Sequence, residues 1–251
     1  IFAGNDGTLG SCILRSGQPT FEAVRDNTTG TFVQGISATS VTATPFGRFP
    51  SRGGGSNYRI DRIFMYFDTS AITVTPASAT FSIQRTTLNP TSNFRLVKST
   101  AFGNSSTPSQ LTTSEFGSFP GFSPADTMSG NVTEYTNSTI ESTYWGTSNA
   151  YNTTAINLNS NALSDMASND FLIFAMVNFD YDYKNIDPGV NLTTSFGYYT
   201  PTFSGTTRDP KIDYVAGAAG YSKDVIGVAS DTIVEVSGVA TADIVDVIGV
   251  S

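Results

Sequence analysis

Four oxygen-bearing side chains, Asp180, Asp182, Asn185 and Asp187, fall within eight residues at the end of an apolar run. Carboxylates and amides at that density can hold Ca²⁺, which takes oxygen ligands. The spacing is not that of an EF-hand loop, so such an ion would tie a loop to the fold and do no catalysis. The competing reading is a solvated strand end with turn-forming Asx residues. Two aromatic pairs, Tyr144-Trp145 and Tyr198-Tyr199, lie near loops. Flat rings stack on sugar faces, yet aromatics also close the ends of β cores. Trp145, surrounded by Ser, Thr, Asn and Gly, is the expected exposed member. Catalytic signals are thinner. Histidine is absent, which removes the Ser–His–acid triad, the Cys–His dyad and every His-ligated metal site. Glycoside cleavage needs two facing acids, and Asp61 and Asp68 fall on opposite faces of a regular strand. No nucleophile motif stands out. The expectation is a protein that is not an enzyme, with no cofactor beyond, at most, a structural calcium.

A different kind of signal fills the last thirty or so residues, where an 11-residue repeat keeps glycine in a fixed slot. Val225-Ile-Gly-Val-Ala-Ser-Asp-Thr-Ile-Val-Glu235 is followed by Val236-Ser-Gly-Val-Ala-Thr-Ala-Asp-Ile-Val-Asp246, and Val247-Ile-Gly-Val-Ser251 begins a third copy. Gly227, Gly238 and Gly249 recur at that step, as do Val228 and Val239, Ile233 and Ile244, and the acids Asp224, Glu235 and Asp246. Short repeats cannot bury an apolar face alone, so they stack on one another or on sister chains. Gly together with β-branched Val and Ile disfavours a helix. A β-solenoid rung, a strand shared in a trimeric stalk and a tether all fit, with assembly as the expected role.

The elements that must position these residues read as β. Tyr58–Asp68 carries Ile63, Met65 and Phe67 on one face and Arg62, Phe64 and Tyr66 on the other, as a strand covered on both sides does. Phe171–Phe179 is likewise apolar on both faces. It is expected to run on through Asp180-Tyr-Asp-Tyr183, with Asn178, Asp180 and Asp182 on one face. Thr20–Val24, Gly30–Val33, Ala79–Gln84, Phe94–Val97, Gly197–Tyr199 and Lys211–Val215 read as shorter strands. Asn161–Ala167 is the one expected helix, capped by Asn159 or Asn161. Residues 99–150 lack periodicity and read as long decorated loops with short strands. The expected organisation is a β domain over 1–216, a small-residue linker over 217–223 and the repeat tail over 224–251. Strands spaced by turn-rich loops make an all-β, two-sheet β-sandwich the expected fold.

Composition agrees with that class. Of the 251 residues 39% are hydrophobic and 12% aromatic, enough for a packed core, while charged residues, at 14%, fall well below the usual share of about a quarter. A net charge of −8 with 13 basic residues argues against nucleic acid as a partner. Cys12 is the single cysteine, so no intrachain disulfide forms, and it reads as a small buried apolar residue. No run reaches the roughly 18 apolar residues of a membrane span. The opening Ile1-Phe-Ala-Gly, without Met or a signal pattern, is expected of a trimmed start. Asn27, Asn104, Asn131, Asn137, Asn152 and Asn191 each begin an Asn-x-Ser/Thr sequon, relevant only in a eukaryotic or archaeal host.

Arg62-Ile-Phe-Met-Tyr-Phe-Asp-Thr-Ser-Ala-Ile72, followed by Pro76-Ala-Ser-Ala-Thr-Phe-Ser-Ile83, resembles the R-x-F-x-x-F-D-T-S…I-x-S-A-T-L signature of jelly-roll modules. These occur in bacteriophage and environmental viral structural proteins and in some bacterial surface proteins. Asp180–Pro188 and Phe203-Ser-Gly-Thr-Thr-Arg-Asp-Pro-Lys-Ile212 are similar to the closing half of that module, and Asp6-Gly7 with Thr20–Arg25 to its first hairpin. The tail resembles the V-x-G-V-A repeats of marine-phage virion proteins, with Asp and Glu standing where such repeats usually carry basic residues. The resemblance implies a jelly-roll (lectin-like) sandwich on a virion surface or extracellular, as a fibre, tail or capsid-decoration component. Its implied partners are other virion proteins, sister copies (a trimer favoured) and a host-surface glycan. A carbohydrate-binding module of a cellular surface or secreted protein is the alternative, and a polysaccharide lyase or hydrolase is the weakest.

Overall fold

The computed structural model describes residues 1–3, 11–35, 38–86, 91–201, 207–217, 235–236 and 239–240. Among them the chain is mostly β, in antiparallel sheets with few helices. The elements in order are β1 (Ser11–Gln18), α1 (Phe21–Arg25), β2 (Phe32–Gln34), β3 (Ser40–Ala43), β4 (Gly47–Pro50), β5 (Ser56–Asp68), β6 (Ser78–Ser82) and β7 (Phe94–Lys98). There follow β8 (Ile156–Asn157), α2 (Ser160–Ser168), β9 (Phe171–Asn178), β10 (Leu192–Thr193), β11 (Phe196–Tyr199), β12 (Lys211–Val215), β13 (Glu235–Val236) and β14 (Val239–Ala240).

β5 organises the molecule. β1 pairs it from Tyr58 to Phe64, β4 from Ser56 to Arg59, and β9 from Ile63 to Asp68. Because those spans overlap, β4 and β9 must share the edge opposite β1. β7 continues outward from β9, β10 from β4 and β2 from β1. Elsewhere β6 is flanked by β12 and β8, and β11 pairs β3.

The two faces of β5 feed two cores, as its double-sided apolar pattern requires. Ile63, Met65 and Phe67 pack with Phe81, Ile83, Ile156, Phe174, Phe196 and Ile212, so this core is shared with β6, β8, β11 and β12. Tyr58, Ile60, Phe64 and Tyr66 pack with Phe21 and Val24 of α1 and with Phe102, Leu111, Phe116, Phe119 and Met128. The region that lacks periodicity therefore forms a cover, an irregular segment carrying large apolar anchors at uneven spacing. Its path demands glycine at one close approach. Gly121 has φ +84°, and a Cβ there would sit 1.9 Å from the Asn131 carbonyl oxygen.

Two expected strands form other structures. Thr20–Val24 opens α1 instead: Thr20 accepts the Ala23 N–H at 3.1 Å, with Glu22 in the first turn and Arg25 in the last. Phe21 and Val24, three apart, then meet the core together. The expected continuation through Tyr183 is a single π-helical turn, Phe179–Tyr183, because Asn178 Oδ1 accepts the Tyr181 N–H at 3.0 Å and ends β9. The expected helix is present as α2, with Asn159 Oδ1 accepting from Asn161 and Ala162. No helix among the described residues is long and apolar enough to cross a membrane.

Candidate functional site

The acidic cluster comes apart in three dimensions. The π turn drives Asp182 inward, where it is fully buried, while Asp180 and Asn185 stay half-exposed and Asp187 exposed. Arg62 Nε and Nη2 donate to Asp182 Oδ2 and Oδ1 at 2.8 and 2.7 Å, a bidentate pair. Arg62 Nη1 donates to the Phe116 carbonyl at 2.8 Å and Nη2 also to the Arg25 carbonyl at 3.0 Å. The guanidinium lies 4.2 Å from the Phe116 ring centre and 5.2 Å from those of Phe119 and Phe122. Arg25, equally buried, donates through Nε to the Asp182 carbonyl at 3.0 Å, through Nη1 to Asp26 at 2.7 Å and through Nη2 to the Asp126 carbonyl.

Both Asp182 oxygens are therefore taken, which overturns the calcium reading at its central ligand. The other three residues are turned to local work. Asp180 accepts from Asn93 Nδ2 at 2.9 Å, Asn185 donates to the Ala125 carbonyl at 2.7 Å, and Asp187 accepts from the Tyr58 hydroxyl at 2.7 Å. Burial, then Asp187, pushes the Tyr58 phenol up. No group of three or more acids or cysteines among the described residues is placed to hold a metal.

The aromatic pairs separate too. Trp145, expected at the surface, is 7% exposed, its ring tilted on Phe196 at 4.8 Å and edge-on to Phe94 at 6.2 Å. Tyr198 is fully buried beside Phe196. Tyr199 is half-exposed, but the Arg208 guanidinium lies 4.6 Å from its ring centre and its hydroxyl donates to Asn149 Oδ1 at 2.7 Å. Of the four, Tyr144 lines an open concavity.

That concavity is a cleft of about 210 Å³ lined by Thr136–Ile140, Tyr144 and Ala155–Leu158. Its walls are fixed from several sides. Ile140 exchanges backbone bonds with Phe94 of β7 at 2.8 and 2.9 Å, and Asn157 pairs Thr80 of β6. Tyr144 closes a short 3₁₀ turn, Ser142–Tyr144, and its carbonyl accepts from the Thr153 N–H at 2.8 Å. Asn159 Nδ2 donates to the Glu134 carbonyl at 2.9 Å and to Asn137 Oδ1 at 3.3 Å, so one amide serves both α2 and the cleft wall. Sequence reasoning missed Thr136 and Asn157 as site residues and took Asn137 only as a sequon. Thr80 and Asn157, 77 residues apart on the chain, are brought together here by strand pairing.

A second cavity, about 300 Å³, contains Lys98 and Tyr135 in its wall. Tyr135 donates to Asp165 Oδ2 at 2.5 Å and Lys98 Nζ to the same oxygen at 2.7 Å. Burial, then Asp165, pushes the Tyr135 phenol up, which keeps its proton on oxygen. The trio ties β7 to α2. Asp61, also fully buried, has its carboxyl raised by burial against the lowering effect of Arg59, whose Nε and Nη2 donate to it at 2.9 and 2.8 Å. Asp68, at the exposed end of β5, is held down by the Ser70 hydroxyl and N–H. The two acids do not face each other.

Of the repeat tail, β13 and β14 pair antiparallel, Val236 opposite Val239 and Glu235 opposite Ala240. The expected assembly residues Val225, Gly227, Val228, Ile233, Gly238, Ile244, Val247 and Gly249 lie outside the described residues. No protein-family model matches this chain, and no curated protein matches it as a relative.

Proposed function

We propose that this chain is a virion structural protein displayed on the particle surface, as a fibre, tail or capsid-decoration component, assembling through its C-terminal repeats. The observation that carries the reading is the repeat itself, with glycine, valine and one acid each returning every eleven residues. The paired Val236 and Val239 favour strand–turn–strand units over helix within it. The jelly-roll sandwich reading of 1–216 is supported by the core that β5 and β9 share with β6, β8, β11 and β12. In this proposal the sandwich is held outward, and the tail docks or trimerises. Light scattering on residues 1–251 beside a truncation ending at Ala216 tests it: a trimer that becomes monomeric on truncation is the expected result. Two monomers would refute assembly through the tail.

The second reading, a carbohydrate-binding module, is favoured by one observation. Tyr144 stands in the wall of a polar cleft whose supports are fixed by backbone and amide hydrogen bonds.

A further inference from the structure

The cleft between residues 136–144 and 155–158 has the chemistry of a small binding site. None of its ten lining residues is charged, so the lining offers phosphate, sulfate or a uronic acid no cationic partner and suits a neutral occupant better. Its polar lining is dense in amides and hydroxyls, with Asn137 and Asn157 exposed. A primary amide presents one acceptor and two donors, the pattern that meets adjacent hydroxyls. Tyr144 is half-exposed and adds an aromatic surface, while Ile156 and Leu158, 2% and 6% exposed, supply an apolar wall.

Thr136 backs the cleft wall: it is 3% exposed, and its Oγ1 is enclosed without a hydrogen-bond partner, a cost the fold carries there. A volume of about 210 Å³ corresponds to about seven waters at ~30 Å³ each. That suits one ring and is small for a drug-sized ligand.

From these features we infer that the cleft binds a single neutral sugar ring, with Tyr144 against the ring's C–H face and Asn137 and Asn157 on its hydroxyls. The site rests on the sugar-binding reading and is indifferent to the tail, so it and the assembly proposal fail separately. The walls are fixed before ligand arrives, by the Ile140–Phe94 and Thr153–Tyr144 backbone bonds and by Asn159. Such pre-organisation reduces the ordering cost of binding.

The test uses the full chain and saturation-transfer NMR with the methyl glycosides of glucose, galactose, mannose and N-acetylglucosamine, and with glucuronic acid as the charged comparison. At least one neutral glycoside is expected to bind with a millimolar Kd, and glucuronic acid at least tenfold more weakly. Tyr144→Ala and Asn157→Ala are each expected to weaken the neutral sugar tenfold or more, while Arg52→Ala, on an exposed loop outside the cleft lining, leaves it unchanged. Asn157 is exposed at a short strand, so its variant folds even if Tyr144→Ala does not; thermal melts check both. Binding that survives Asn157→Ala and Tyr144→Ala would overturn the site and leave the sugar-binding reading standing. Silence from every neutral glycoside would overturn both, as would glucuronic acid binding as well as the best of them.

Discussion

Replacing Asp182 by asparagine isolates what the buried ion pair contributes. Arg62 makes four N–H···O contacts, two of them to the Asp182 carboxylate, and neither side chain touches solvent. Around this point two guanidinium groups, Arg25 and Arg62, are balanced by two carboxylates, Asp182 and Asp26. Asp182→Asn removes one negative charge and turns an NH₂ toward a guanidinium N–H, leaving net positive charge in the interior. Breaking a buried pair from one side costs about 3–5 kcal/mol. In a chain of this size about 1 kcal/mol moves Tm by roughly 2–4 °C, so a fall of about 6–20 °C is expected. Arg62→Met alone leaves the buried carboxylate with only the looser Arg25 Nε contact, 3.9 Å away, and its loss falls in the same range.

The double variant Arg62→Met/Asp182→Asn removes both charges, and its loss is expected to be well short of the sum of the two singles. Urea denaturation of all three proteins, with calorimetry in parallel, supplies the cycle. A loss under about 1 kcal/mol for Asp182→Asn would refute the pairing, as would strict additivity in the double variant.

Four further outcomes follow from the same geometry. Calcium at millimolar excess, or EDTA, leaves Tm of the wild type unmoved; a calcium-dependent rise in a thermal melt would restore Asp182 and its neighbours as ligands. Asp209 is fully buried, neither carboxylate oxygen has a hydrogen-bond partner, and burial pushes its carboxyl from 3.8 up to about 6. A raised carboxyl binds its proton more tightly folded than unfolded, so it weakens the fold above about pH 6 and ceases to do so as pH falls toward about 4. Asp209→Asn therefore raises Tm near neutral pH, and calorimetry across pH should show the gap closing near pH 4; a constant gap would contradict the assignment. Trp145→Ala empties the space against Phe94 and Phe196 and costs about 3–5 kcal/mol by denaturation, whereas an exposed Trp145 would cost almost nothing. Asn159→Ala removes the α2 cap and the tie to Asn137, costing about 1–2 kcal/mol, and the Asn137 amide resonances in NMR spectra shift with it.

What the sequence revealed and what it hid divide along a physical line. β5 and β9 were legible because burial on both faces leaves a continuous apolar run that no other element of that length explains. α2 was legible because its cap is local: Asn159 reaches only two and three residues ahead. α1 was not, since five residues satisfy a strand or a helix pattern equally, and Thr20 as a cap decides between them only once Phe21 and Val24 must reach one core. The run Asn178, Asp180, Asp182 imitates strand alternation, but Asn178 folds back onto Tyr181 and ends it.

Asp182 and Trp145 were misread for a shared reason: their partners lie far along the chain. The carboxylate answers to Arg62, 120 residues earlier, and the indole to Phe94 and Phe196 on two different strands. Polar neighbours in sequence said nothing about either. The converse holds at the cleft, where Thr136, Asn137 and Asn157 are ordinary residues of a Thr- and Asn-rich chain until strand pairing brings them beside Tyr144. In a chain this poor in charge, the buried charges lock an irregular cover onto a sheet, through carbonyls at Phe116 and Asp126 that no periodicity marks. Under the proposed sugar site recognition falls to neutral groups, and Asn157 beside Tyr144 is where that division of labour is most open to test.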